Sequence, residues 1–144
     1  LLTEPVDIMK YNFIRLKSRE KWGVLVRKDS ELAQKESISP KDLLDVPVFL
    51  VQRALVKNEL EGWFGDYFDQ IHVAGTYNLI NNVAVMVENK IGVALCFRLQ
   101  NQFDSLQYIP LSPAVETGAV LVWKKTQVAS RATHQFLNFI KENM

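Results

Sequence analysis

The chain has 144 residues, of which 48% are apolar and 23% charged, with a formal net charge of +1. That length supports a proper hydrophobic core, and the mix excludes a disordered segment. Interspersed, nearly balanced charge argues against a face that grips nucleic acid, and no apolar run is long enough to cross a membrane as a helix.

Residues Leu1 to Leu16 are expected to form two short extended pieces around a polar turn, with Tyr11 to Leu16 alternating as a strand. Lys17 to Lys21 is a charge run that reads as a solvated connector. Trp22 to Arg27 predicts a strand, followed by a polar, helix-compatible stretch from Lys28 to Ser37. Ser39-Pro40-Lys41-Asp42 signals a short helix to about Asp45, with Ser39 as cap, Pro40 in the first turn and Asp42 reaching back. Pro47 ends it.

Val48 to Val51 predicts a buried strand, Ala54 to Phe64 a helix stopped by Gly65, and Ile71 to Gly75 another strand. Asn78 to Asn89 is apolar around most of its circumference and is expected to be a largely buried helix. Ile91 to Phe97 reads as a buried strand carrying the only cysteine, Cys96, which rules out a disulfide framework and fits a reducing compartment. Arg98 to Asp104 is expected to be a short turn. Strands at Leu106 to Leu111 and Gly118 to Lys124 follow. A last helix starts near Ser130 and puts Ala132, Phe136, Leu137 and Ile140 on one stripe. Strands alternating with helices predict an α/β fold with a mostly parallel sheet covered on both faces.

Catalytic chemistry is not signalled. His72 and His134 lie far apart and lack the helical spacing of metal ligands. Cys96 has apolar neighbours that oppose a thiolate. Glu59, Glu61, Asp66 and Asp69 near Trp63 read as a solvated acidic surface. No phosphate loop, dinucleotide fingerprint or nucleophile elbow occurs. Catalytic residues, metal ligands and cofactors are therefore expected to be absent. Two places look like ligand contacts. Gly75-Thr76-Tyr77-Asn78 joins a strand end to a helix start, where backbone N–H groups favour an anion, although Thr76 could simply cap the helix. Gln52-Arg53 occupies a similar edge after the Val48 strand, and Arg53 could pair with a carboxylate.

Three segments together resemble a known family: Trp22 to Ala33, Ile38 to Leu44 and Pro47 to Leu50. Val87-Glu-Asn-Lys-Ile-Gly-Val-Ala-Leu95 adds to the likeness, with Lys90 where a glycine is usual and without the proline that usually follows. Tyr108 to Leu111, Ala119 to Lys124 and Ala132 to Ile140 complete it. Over essentially its whole length the chain resembles the effector-binding domain of LysR-type transcriptional regulators.

The resemblance implies a periplasmic-binding-protein-like (type 2) fold of two α/β subdomains with the effector held between them. It implies a complete second subdomain at residues 25–117, and residues 1–24 and 118–144 as part of the first, with crossing strands at Trp22 to Arg27 and Gly118 to Lys124. The opening Leu1-Leu2 reads like the start of a cut piece, so the rest of the first subdomain and the DNA-binding winged helix-turn-helix would precede it. Thr76, with Gly75, Tyr77 and Asn78, and more weakly Gln52 and Arg53, are the implied effector contacts. The implied effector is a small organic acid, amino acid or aromatic metabolite. A cytoplasmic protein that meets DNA only through that missing part, and no membrane, is expected. A transport-type solute-binding protein of the same architecture is the alternative. The incompletely covered last helix leads us to expect a homodimer or a swapped assembly.

Overall fold

Continuous apolar runs in the core strands build most of this fold. The computed structural model describes residues 2–98 and 103–143. The chain divides into two units, one of Glu20–Glu116 and one of Leu1–Arg19 with Thr117–Met144.

The larger unit contains the end of β2 (Tyr11–Arg27), then β3 (Pro47–Val51), α1 (Ala54–Phe64), β4 (His72–Tyr77), α2 (Ile80–Glu88), β5 (Val93–Phe97) and β6 (Leu106–Pro110). Its strands lie in the order β6-β2-β5-β3-β4. β3 is parallel to both β4 and β5, whereas β2 is antiparallel to β5 and β6. The sheet is thus mixed, and only the three strands at one side, β5, β3 and β4, follow the parallel expectation.

Alternation sorts the side chains onto two faces. Val24, Val26, Val48, Leu50, Leu95 and Ile109 join Leu60 and Phe64 in one core, while Leu25, Phe49, Ala94 and Cys96 join Val83, Ala84 and Val87 of α2 in the other. Both faces are covered, as strands with continuous apolar runs require. Residues 99–102, within the expected turn from Arg98 to Asp104, lie outside the described residues.

Several local signals act as their chemistry dictates. α1 ends at Gly65, whose φ of +55° is a left-handed value that glycine tolerates. Asp42 accepts hydrogen bonds from both the backbone N–H and the hydroxyl of Ser39, each at 2.8 Å, over a 3-10 turn at Pro40–Leu43. A second 3-10 turn, Glu31–Gln34, occupies the stretch after β2. Burial opposes the charge of Asp42, but the Ser39 donors and the Lys35 ammonium outweigh it, so the carboxyl titrates below its usual range. Its contribution is therefore complete above the unfolded value, near pH 4, and is lost as pH falls through the folded one. Replacing Asp42 with alanine is expected to cost about 1 kcal/mol at neutral pH. Urea unfolding should show that difference shrinking as pH falls below about 4.

Three expectations are corrected. The run Lys17 to Lys21 is solvated, as expected, but it is part of continuous β2 rather than a connector between elements. Backbone pairing there does not depend on burying side chains, so charged residues can occupy it. α2 starts at Ile80 rather than Asn78 and is not largely buried: Leu79, Val85 and Met86 are exposed while Val83, Ala84 and Val87 face the sheet. One sheet face can cover only one stripe of a helix. Finally, Thr76 and Tyr77 belong to β4, so Thr76 is not the cap of α2; Leu79 holds that position.

The smaller unit contains β1 (Leu2–Thr3), the start of β2, β7 (Glu116–Lys124) from Thr117 on, and α3 (Arg131–Glu142). β1 runs antiparallel to β7, with Leu2 opposite Val120. The Ser130 hydroxyl caps α3 by accepting the Thr133 N–H. Of its apolar residues Leu137 is buried and Ile140 half-buried, whereas Ala132 is exposed and Phe136 and Phe139 are 54% and 63% exposed.

Candidate functional site

Parallel strands β3, β4 and β5 finish at one edge of the larger unit. Loops that follow such carboxyl ends are where ligands meet α/β sheets. After β3 comes Gln52-Arg53 and then α1; after β4 comes Asn78-Leu79 and then α2. The two loops are tied together by the Gln52 N–H, which donates to the Tyr77 carbonyl at 2.7 Å. The register sets Leu50 beside Thr76 and Val51 beside Tyr77.

All six expected contact residues therefore share one edge. Thr76, Asn78 and Gln52 are exposed there, and Gly75 and Arg53 are half-buried. Gly75 lets the strand sit against Phe49, because a Cβ at that position would come within 3.3 Å of the Phe49 ring. Tyr77 differs from the rest. Its hydroxyl donates inward to the Leu95 carbonyl at 2.5 Å, and burial raises its pKa above the ordinary phenol value. It anchors the loop rather than facing outward.

The electrostatics suit an anion. Neither α1 nor α2 carries a side-chain cap: Arg53 and Leu79 hold the N-cap positions without such a bond. The positive ends of two helix dipoles thus meet at this edge, with Arg53 at the N-cap of α1. Sequence reading missed one further residue. Arg98 follows β5, is exposed, and stands at the same edge as the third parallel strand's exit. Its signal was its place immediately after a buried apolar strand.

Elsewhere the chemistry is structural. Cys96 is 1% exposed, and burial pushes its thiol up to about 12. We expect no reaction with Ellman's reagent in the native protein and one equivalent on unfolding; rapid native reaction would contradict its placement. His72 and His134 are both exposed. Glu61 pairs with Lys57 at 3.4 Å along α1, and the Trp63 indole donates to the Pro113 carbonyl at 2.9 Å. Among the described residues no three of His, Cys, Asp or Glu gather as metal ligands.

A family model described as LysR substrate binding domain matches residues 1–144. The chain belongs to that family. Its fold is α/β, of the periplasmic-binding-protein-like type 2 class, as solved structures also show. The effector binding domain of QuiR in complex with shikimate superposes with a TM-score of 0.80 at 16% identity, covering 95% of this chain and 66% of that one. The regulatory domain of Synechocystis PCC6803 CcmR in complex with 2-PG gives 0.70 at 16%, covering 96% and 69%. HinK, a LysR family transcriptional regulator from Pseudomonas aeruginosa, gives 0.75 at 17%, covering 99% and 51%. This LysR domain thus spans about half the length of the first regulators it matches. No match was found among curated proteins. The domain is an effector-binding domain of the LysR kind, which favours that reading over a transport-type binding protein.

Proposed function

We propose that this LysR domain senses a small organic anion at the carboxyl edge of β3, β4 and β5, for a DNA-binding regulator of which it is a part. The observation that carries the reading is the hydrogen bond from Gln52 to the Tyr77 carbonyl, which joins two uncapped helix starts at one edge. In this reading Thr76, Asn78 and Gln52 offer polar groups, Gly75 allows close approach, Arg53 supplies charge and Tyr77 positions the loop. Residues 25–117 are the second effector-binding subdomain, and 1–24 with 118–144 belong to the first.

The effector is a small organic acid, amino acid or aromatic metabolite. QuiR with shikimate and CcmR with 2-PG support the acid class by family likeness. Such a ligand acts by binding two arrangements of the regulator unequally. The domain itself performs no catalysis and needs no cofactor. The whole protein works in the cytoplasm, meets DNA through a helix-turn-helix outside this chain, and touches no membrane.

Calorimetry with shikimate, 2-PG and benzoate as probes tests the site. Thr76→Val and Arg53→Ala are each expected to weaken the binding probe about tenfold or more. Unchanged affinity in both variants would remove this edge from consideration. The exposed Phe136 and Phe139 lead us to propose self-association through α3 as well. Light scattering that shows only monomer at high concentration would contradict it.

A further inference from the structure

An open pocket of about 330 Å³ lies at the other end of the same strands. Pro47 opens β3 and Val93 opens β5, so this pocket is a strand's length away from Gln52 and Thr76 and has no part in the reading above. Its walls come from Arg27 at the end of β2, Asp29 just beyond, and Val87 and Lys90 around the end of α2.

The charges there are already arranged. Arg27 donates from Nε and Nη2 to the two Asp29 carboxylate oxygens at 2.8 and 2.7 Å, and from Nη1 to the Glu88 carbonyl. The Glu88 carboxylate in turn accepts from the Ser105 hydroxyl at 2.6 Å. Arg27 and Asp29 therefore satisfy each other. Lys90 makes no ion pair among the described residues, although its charge acts on the Asp29 carboxylate and that of Glu88 acts on Arg27 from outside the pocket lining. Of the lining residues, Arg27, Asp29 and Lys90 together carry one net positive charge.

Lys90 also sits where the backbone disfavours it. Its φ is +63°, the left-handed value that suits glycine at a helix end, and it is the only non-glycine residue with positive φ among those described. Its N–H bonds to the Val87 carbonyl and the Ile91 N–H to that of Met86, both at 3.1 Å, so the helix end needs this conformation. Glycine would close the helix at lower cost. A strained lysine at a pocket mouth points to work for its side chain.

We infer that this pocket binds a small monocarboxylate with an apolar body, its carboxylate on Lys90 and its body against Val87, Pro47 and Val93. One net positive charge suits one negative charge, and a dianion would find no second free donor on Arg27. An amine would be repelled by Lys90. The volume stands at the lower end for small-molecule sites, which limits the body to a few carbons.

Amide shifts of the ¹⁵N-labelled protein, titrated with 4-methylpentanoate, test this. Saturable shifts are expected at Lys90, Gly92 and Val93. Acetate, which lacks the body, and 4-methylpentan-1-ol, which lacks the charge, should each bind about tenfold more weakly or worse. Lys90→Gly should not lower the melting temperature yet should lose binding, and Lys90→Met should lose binding with the fold intact. Absence of shifts at these amides, equal shifts from the alcohol, or undiminished binding by both variants would overturn the proposal.

Discussion

Leu50→Ala is expected to lower unfolding stability by about 3–5 kcal/mol. Leu50 is fully buried in β3, the strand with β4 on one side and β5 on the other, and it belongs to the core shared with Leu60, Phe64 and Leu95. Truncation removes the buried methyl groups and leaves a void that packed β-strands on both sides cannot collapse into. Against a typical total of about 5–15 kcal/mol, such a loss is a large fraction. Urea unfolding should show the midpoint falling with little change in slope. A loss below about 1 kcal/mol would place Leu50 outside the core. Because Leu50 stands beside Thr76 in the register, the same variant should also loosen the edge that carries the candidate site.

Gly23→Val should be comparably severe, about 3 kcal/mol or more, with a sharp fall in soluble yield. Strand propensity alone predicts the opposite sign, since valine favours strands and glycine weakens them. The surroundings decide otherwise. A Cβ at Gly23 would collide with the Tyr108 ring and with the Ile109 carbonyl. The ring is held by its hydroxyl, which donates to the Lys21 carbonyl at 2.8 Å, and the carbonyl belongs to β6 in register with β2. Relief would require β6 to leave β2. An unchanged melting temperature in Gly23→Val, or even in Gly23→Ala, would show that this close approach is not needed.

Elements with local punctuation were legible in the sequence. α1 has the bounds that its apolar run and Gly65 predict, and Ser130 caps α3 as its hydroxyl and position predict. The Ser39–Asp42 pairing was readable too, although it closes a 3-10 turn rather than an α-helix. What escaped was set by partners distant in sequence. The charged run from Lys17 to Lys21 became strand because backbone hydrogen bonding, not side-chain pattern, determines an exposed strand. Thr76 became strand because β3 extends β4 through Val51 and Gln52, overriding a threonine that resembles a cap. α2 is apolar around most of its circumference, and its sequence alone does not say which side meets the sheet.

The candidate site divides in the same way. Gln52-Arg53 and Gly75 to Asn78 could be found as strand-to-helix junctions, and parallel pairing brings them to one edge. The inward turn of Tyr77 depends on Leu95, eighteen residues further on, and so left no local trace. Arg98 joins the edge only once β5 is known to run parallel to β3.

Amide shift mapping on the ¹⁵N-labelled protein with shikimate, 2-PG and benzoate tests the sensing edge most directly. The expected result is that at least one probe shifts Gln52, Arg53 and Thr76 to Asn78 saturably, with Arg98 moving alongside. Shifts from every probe confined to other parts of the protein, with those residues silent, would contradict it.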